Sequence, residues 1–218
     1  MLELKNLSFG YEKEKYLFSN LNLLVQKGEI VILQGDSGSG KTTLLRIISN
    51  VIPNLVHGYI KGKVVLDGIG TSILTLPELS PKISLMMQEP ENQLFFPNVE
   101  AELAFGPENL CISPAEIDER ITETLELLEI SHLRFQETAT LSFGQKKLVA
   151  LASLITLSPQ VFLLDEPAAG LSFKYTVVLI KALRKLADSG KIFLIANHLP
   201  VLNELTDKFI CLENHAKN

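Results

Sequence analysis

Three short runs of consecutive apolar residues punctuate the chain, each closed by polar groups. They are Ile30-Val31-Ile32-Leu33 before Gly35, Val161-Phe162-Leu163-Leu164 before Asp165-Glu166, and Ile192-Phe193-Leu194-Ile195 before Asn197-His198. Runs like these, rich in β-branched and aromatic residues and without alternation, predict strands covered on both faces, as in a parallel sheet. Polar residues at their C-terminal ends would line the crevice where open α/β sheets bind ligands. The first ~30 residues alternate instead, through Leu2, Leu4, Leu21, Leu23 and Val25. That pattern predicts half-buried antiparallel strands added at the sheet edge.

The middle of the chain changes period. Ser113-Pro114-Ala115-Glu116 reads as a capping box with proline at the first helical position. Ile117, Ile121, Leu125 and Leu128 follow at helical spacing. Further helices are predicted from about Gln145 to Leu154 and from about Phe173 to Ala187, with Gly190 as a stop signal. The chain therefore reads as one domain over 1–218. Residues of about 1–87 and 156–218 form an α/β core with an N-terminal antiparallel β subdomain, and about 88–155 form a helical insert.

Composition narrows the class. At 218 residues, 46% hydrophobic and 21% charged, the chain can bury a sizeable core. Its formal net charge of −5 argues against nucleic acid as a partner. No apolar run approaches the ~20 residues of a membrane-spanning helix, and no secretory signal is visible at the N-terminus. Cys111 and Cys211 lack metal or redox spacing and fit a reducing compartment. A mean hydropathy of +0.23 hints at an apolar surface kept for partners.

Residues 35–42 read Gly35-Asp36-Ser37-Gly38-Ser39-Gly40-Lys41-Thr42, the G-x-x-x-x-G-K-[ST] pattern of a phosphate-cradling loop. Its glycines let backbone N–H groups converge on an anion, Lys41 reaches the β- and γ-phosphates, and the Thr42 hydroxyl serves Mg²⁺. Thr43 continues the loop into an apolar helical pattern. An apolar strand before the loop and a helix after it are the context that confirms the motif, so the chain is expected to bind a nucleoside triphosphate.

Phosphoryl chemistry needs two acidic functions, one orienting Mg²⁺ and one polarising the attacking water. Asp165 and Glu166, at the end of an apolar run, are assigned to the metal and the water respectively. Leu141-Ser142-Phe143-Gly144-Gln145 precedes a helix; Ser-x-x-Gln is a capping box, and the same geometry is an anion site. His198 ends the third strand, where it can hold a γ-phosphate and water or be an ordinary half-buried histidine. Gln88, at the border of core and insert, reads as a sensor of Mg²⁺ or water, or as a surface glutamine. Tyr11 reads as a ring for stacking on adenine or as an ordinary sheet residue. His57, His132 and His215 offer no usable spacing.

Together these residues resemble the nucleotide-binding subunit of an ATP-binding cassette (ABC) ATPase, across essentially the whole chain. The matching elements come in the family's order: Tyr11, the loop 35–42, Gln88, the signature 141–145, Asp165-Glu166 and His198. A narrower resemblance lies in Gln88-Glu89-Pro90-Glu91-Asn92-Gln93-Leu94-Phe95 and Ala101-Glu102-Leu103-Ala104-Phe105-Gly106-Pro107-Glu108-Asn109. It is similar to ATPases of energy-coupling factor (ECF) and cobalt/nickel-type importers, which energise uptake of vitamins or metal ions.

The resemblance implies a P-loop NTPase (RecA-like) fold, with ATP and Mg²⁺ as ligands. It implies a head-to-tail pair of ATPase subunits closing around two ATP molecules, docked on a transmembrane coupling protein at the cytoplasmic face of the membrane. Ser142, Phe143, Gly144 and Gln145 would then act on nucleotide held by the partner, with Glu166 and His198 acting in the chain's own site. Two departures stand out. Phe143 occupies a position that is usually Gly, and Ser172 one that is usually Asp. The chain also ends without the C-terminal extension that many ECF-type ATPases use to dimerise. These departures favour a heterodimer with unequal sites over a homodimer. The second reading is a catalytically weak regulatory half of such a heterodimer.

Overall fold

The computed structural model describes residues 1–198, 200–206 and 208–212. His215 and the other C-terminal residues from 213 lie outside them. In chain order the elements are β1 (Leu2–Gly10), β2 (Phe18–Val25), β3 (Ile30–Gln34), α1 (Lys41–Ile48), α2 (Val51–Asn54), β4 (Tyr59–Leu66), β5 (Ile69–Gly70) and α3 (Leu76–Leu79). They continue with β6 (Ile83–Met86), α4 (Val99–Asn109), α5 (Pro114–Leu127), α6 (Phe143–Leu157), β7 (Val161–Asp165), α7 (Phe173–Asp188), β8 (Ile192–Ala196) and β9 (Phe209–Cys211).

The three apolar runs are adjacent strands of one parallel sheet, ordered β6-β7-β8-β3-β9. Side chains alternate across a strand, so each strand serves two cores. Ile30 and Ile32 of β3 pack with Phe162, Leu164, Phe193 and Ile195 against α4–α7. Val31 and Leu33 pack with Leu163, Leu194 and the α1 residues Leu44, Leu45, Ile47 and Ile48 on the other face.

The N-terminal strands correct one expectation. They do not extend the parallel sheet; they form a separate antiparallel sheet, β2-β1-β4-β5. Alternation correctly marked one face as buried, through Leu2, Leu4 and Leu7, but that face closes over α1 rather than joining a sheet edge.

The expected helices that open at Ser113 and near Gln145 are present as α5 and α6, with two local differences. Ile117, Ile121 and Leu125 of α5 and its C-cap Leu128 are all buried. Its N-cap is only half a capping box: the Ser113 hydroxyl accepts from the Glu116 N–H, while the Glu116 carboxylate turns to Arg120 at 2.6 Å. An i,i+4 ion pair thus wins that carboxylate. The helix expected from about Gln145 starts at Phe143, because Ser142 is its N-cap.

Candidate nucleotide site

β3 delivers the phosphate loop and α1 receives it. Gly40 sits at the N-cap with φ 98°, a left-handed conformation, and a Cβ there would stand 2.9 Å from Leu17. Gly35 has φ 142°, and a Cβ would stand 2.6 Å from the Ser39 Oγ. Both positions therefore require glycine. No side chain caps α1, so its leading N–H groups remain turned to the loop. Lys41 folds back across it, its Nζ donating to the Gly35 carbonyl at 2.7 Å and the Asp36 carbonyl at 3.0 Å.

Around this loop lies a cleft of about 760 Å³, which Tyr11, Gln88, Asp165, Glu166 and His198 also line. Of the loop residues, Gly35, Asp36, Ser37, Gly38, Gly40, Lys41, Thr42 and Thr43 face it, while Ser39 is buried beneath. Gln88, Asp165, Glu166 and His198 converge on the loop because β3, β6, β7 and β8 end on the same side of one parallel sheet, and Tyr11 reaches it from the end of β1 in the antiparallel sheet. Tyr11 is 48% exposed; its hydroxyl lies 2.9 Å from the Thr43 Oγ1, and its ring stands edge-on to Phe9.

At the end of β7 the two carboxylates part. Asp165 is buried, and the Thr42 hydroxyl donates to its Oδ2 at 2.7 Å. Burial pushes the Asp165 carboxyl above the ordinary carboxylate range; the Thr42 hydrogen bond pulls it back, and the neighbouring Glu166 charge adds to the upward push. Glu166 has φ 50°, a conformation rare for a residue with a Cβ. Its N–H donates to the Ala196 carbonyl at 2.8 Å, and its Oε1 lies 2.9 Å from His198 Nδ1.

Ser142, Phe143, Gly144 and Gln145 do not line this cleft. They open α6, where Ser142 and Gln145 form a reciprocal capping box: the Ser142 Oγ accepts from Gln145 N, and the Gln145 Oε1 from Ser142 N. Phe143, at the first helical position, is 41% exposed. Ser172 caps α7 by accepting from the Tyr175 N–H at 3.4 Å. Leu17, which lines the cleft, and Lys147, buried beside Glu166, carried no motif. Lys147 had a signal nonetheless, since it falls in the apolar stripe of Gly144, Leu148 and Leu151.

Residues 18–169 match the family described as ABC transporter, more than half of the chain. The chain belongs to the ABC transporter family of ATP-binding proteins. It is 33% identical over 216 residues to a putative ABC transporter ATP-binding protein of Methanosarcina acetivorans, covering 98% of this chain and 34% of that protein. It is 34% identical over 218 residues to one of Clostridium perfringens, covering 38% of that protein. The chain thus spans about a third to a half of the length of most of these ABC relatives. Another from M. acetivorans, 33% identical, is covered over 80% of its length.

Among solved structures, cbiO1 of C. perfringens, part of the ABC transporter complex cbiONQ, superposes with a TM-score of 0.85 at 26% identity over 98% of this chain and 84% of that one. The dimeric ATP-binding cassette MJ0796, in a post-hydrolysis state bound to ADP and Pi, gives 0.83 at 27% identity over 98% and 95%. The cassette fold, with its antiparallel and parallel sheets, is shared with both.

Proposed function

We propose that this chain is the ATP-binding and ATP-hydrolysing subunit of a membrane transporter, of the ECF type that takes up a vitamin or metal ion. The convergence of the phosphate loop, Asp165, Glu166 and His198 in one cleft carries the reading. Lys41 leaves its two carbonyls for the β- and γ-phosphates, and Tyr11 offers a ring face to adenine. Glu166 polarises the attacking water, and His198, tethered to it, holds water and γ-phosphate in line.

The Thr42 hydroxyl, Asp165 carboxylate and Gln88 amide form an oxygen donor set suited to Mg²⁺, which keeps waters and takes few protein ligands. Among the described residues, no group of three or more His, Cys, Asp or Glu is placed to hold a metal by itself. When bound, Mg²⁺ would neutralise charge on the transferring phosphate.

Since the signature stands away from the cleft, the site is completed by the signature of a second ATPase subunit, and this chain's Ser142, Gly144 and Gln145 reach the partner's nucleotide. Phe143 adds bulk there, which supports a heterodimer of unequal sites. The stretch after Gln88, with Phe95 76% exposed and Phe105 46% exposed, is the surface offered to a transmembrane coupling protein. No described helix is long and apolar enough to cross a membrane, which suits a peripheral subunit at the cytoplasmic face. The ECF assignment is supported by the segment from Gln88 to Asn109 and by the likeness to cbiO1.

The test is ATP hydrolysis by the purified chain, alone and with the ATPase encoded beside it, together with co-purification of membrane proteins. Turnover that requires the second subunit and falls at least about a hundredfold in Glu166→Gln is expected. Full activity of the chain alone would sink the unequal pairing.

A further inference from the structure

Two consecutive lysines in the first turns of α6 do different jobs. Lys146 pairs with the exposed Glu91 at 2.7 Å. Lys147 is 1% exposed and among the largest fully buried side chains. Its Nζ donates to the main-chain carbonyls of Glu166 at 2.5 Å and Ala169 at 2.9 Å. A buried ammonium is costly unless its donors are satisfied. Burial pushes this one below the ordinary lysine value, while the charges of Glu166, Glu89 and Asp165 pull it back up.

Phe143 completes the enclosure. Its ring lies over the Lys147 Nζ, 5.5 Å from the centroid. Its edge occupies the space above Gly170, where a Cβ would stand 2.7 Å from Phe143 Cε1. The aromatic that departs from the signature pattern therefore covers the lysine, and Gly170 makes room for it.

Glu166 is held in its left-handed conformation from both sides. Its N–H is fixed to Ala196 at 2.8 Å and its carbonyl to Lys147 at 2.5 Å. A non-glycine residue keeps such a conformation only where its surroundings over-determine it. The backbone angle in turn sets where the carboxylate emerges, towards His198.

We propose that Lys147 is a positioning residue: by gripping the Glu166 and Ala169 carbonyls under the Phe143 ring, it aims this chain's own catalytic carboxylate and ties that aim to the signature helix. Ser142, at the N-cap of the same helix, serves nucleotide held by the partner. Rotation of α6 on engaging that nucleotide is then felt at Glu166, which couples the two composite sites through one rigid element. The proposal rests on Glu166 being the water-polarising group.

The test uses the complex of this chain with its partner ATPase and membrane proteins, measuring kcat and KM for ATP in Lys147→Met, Glu166→Gln and the double variant. Lys147→Met is expected to lower kcat about tenfold or more with KM within about twofold. In the Glu166→Gln background the same change is expected to add nothing further. An unchanged kcat, an effect confined to KM, or an equal loss in both backgrounds overturns the positioning role. Wild-type turnover in Glu166→Gln instead overturns the functional reading beneath it. Lys147→Gln carries the same comparison where Lys147→Met does not fold.

Discussion

α1 and α6 both begin at sequences suited to phosphate, and their first turns are built in different ways. α1 starts on Gly40 in a left-handed conformation with no side-chain cap, and Lys41 is parked on two carbonyls of its own loop. α6 starts on Ser142 in a complete capping box with Gln145. The first terminus has donors to spare; the second has spent its first ones on itself. An uncapped terminus inside a cleft can capture an anion alone. A capped one gains less from the same anion, because it must trade hydrogen bonds it already has. The difference fits the proposed division of labour, in which α1 would hold nucleotide and α6 would only add to nucleotide held elsewhere.

Substitutions can break or sharpen that contrast. The largest effect is expected at the α1 end: Lys41→Ala should cost about a thousandfold in turnover and visibly weaken ATP binding by this chain, read by fluorescence titration. Next comes Asp165→Asn, with about a hundredfold loss of turnover. It removes a buried charge, so the nucleotide-free protein should gain about 1 kcal/mol in chemical denaturation. Ser142→Ala should leave this chain's own ATP affinity unchanged while lowering turnover of the pair about tenfold, and should cost about 1 kcal/mol through the lost cap. A large fall in the chain's own affinity there would erase the division of labour. The smallest effect on turnover is expected for Phe143→Gly, which should destabilise by about 1 kcal/mol in chemical denaturation through the lost ring contact over the buried Lys147 ammonium.

Much of this was legible in the sequence, for identifiable reasons. β3, β7 and β8 are buried on both faces, so their composition alone marks them. The phosphate loop is legible because its spacing is dictated by backbone geometry around an anion. Glu166 and His198 end neighbouring parallel strands, so their meeting follows from strand order. Where the strands of the first sheet pack was not legible, since alternation reports a half-buried face and not what covers it. β4 escaped because its first five residues, Tyr59 to Lys63, are exposed or only half-buried. Lys147 escaped because its place in the apolar stripe of α6 signals burial alone, and its partners are backbone carbonyls that no side-chain pattern reveals.

The parallel sheet belongs to two cores at once, and the elements on either side do not share one. α4–α7 contribute only to the core that contains Phe162 and Phe193, and β1, β2, β4 and α1 only to the core that contains Val161 and Leu163. In amide hydrogen exchange such a molecule should behave as two cooperative units joined by a common spine. The helical unit can open without exposing the amides of β1, and β7 and β8 should be the last to exchange, because losing them requires both units to fail together.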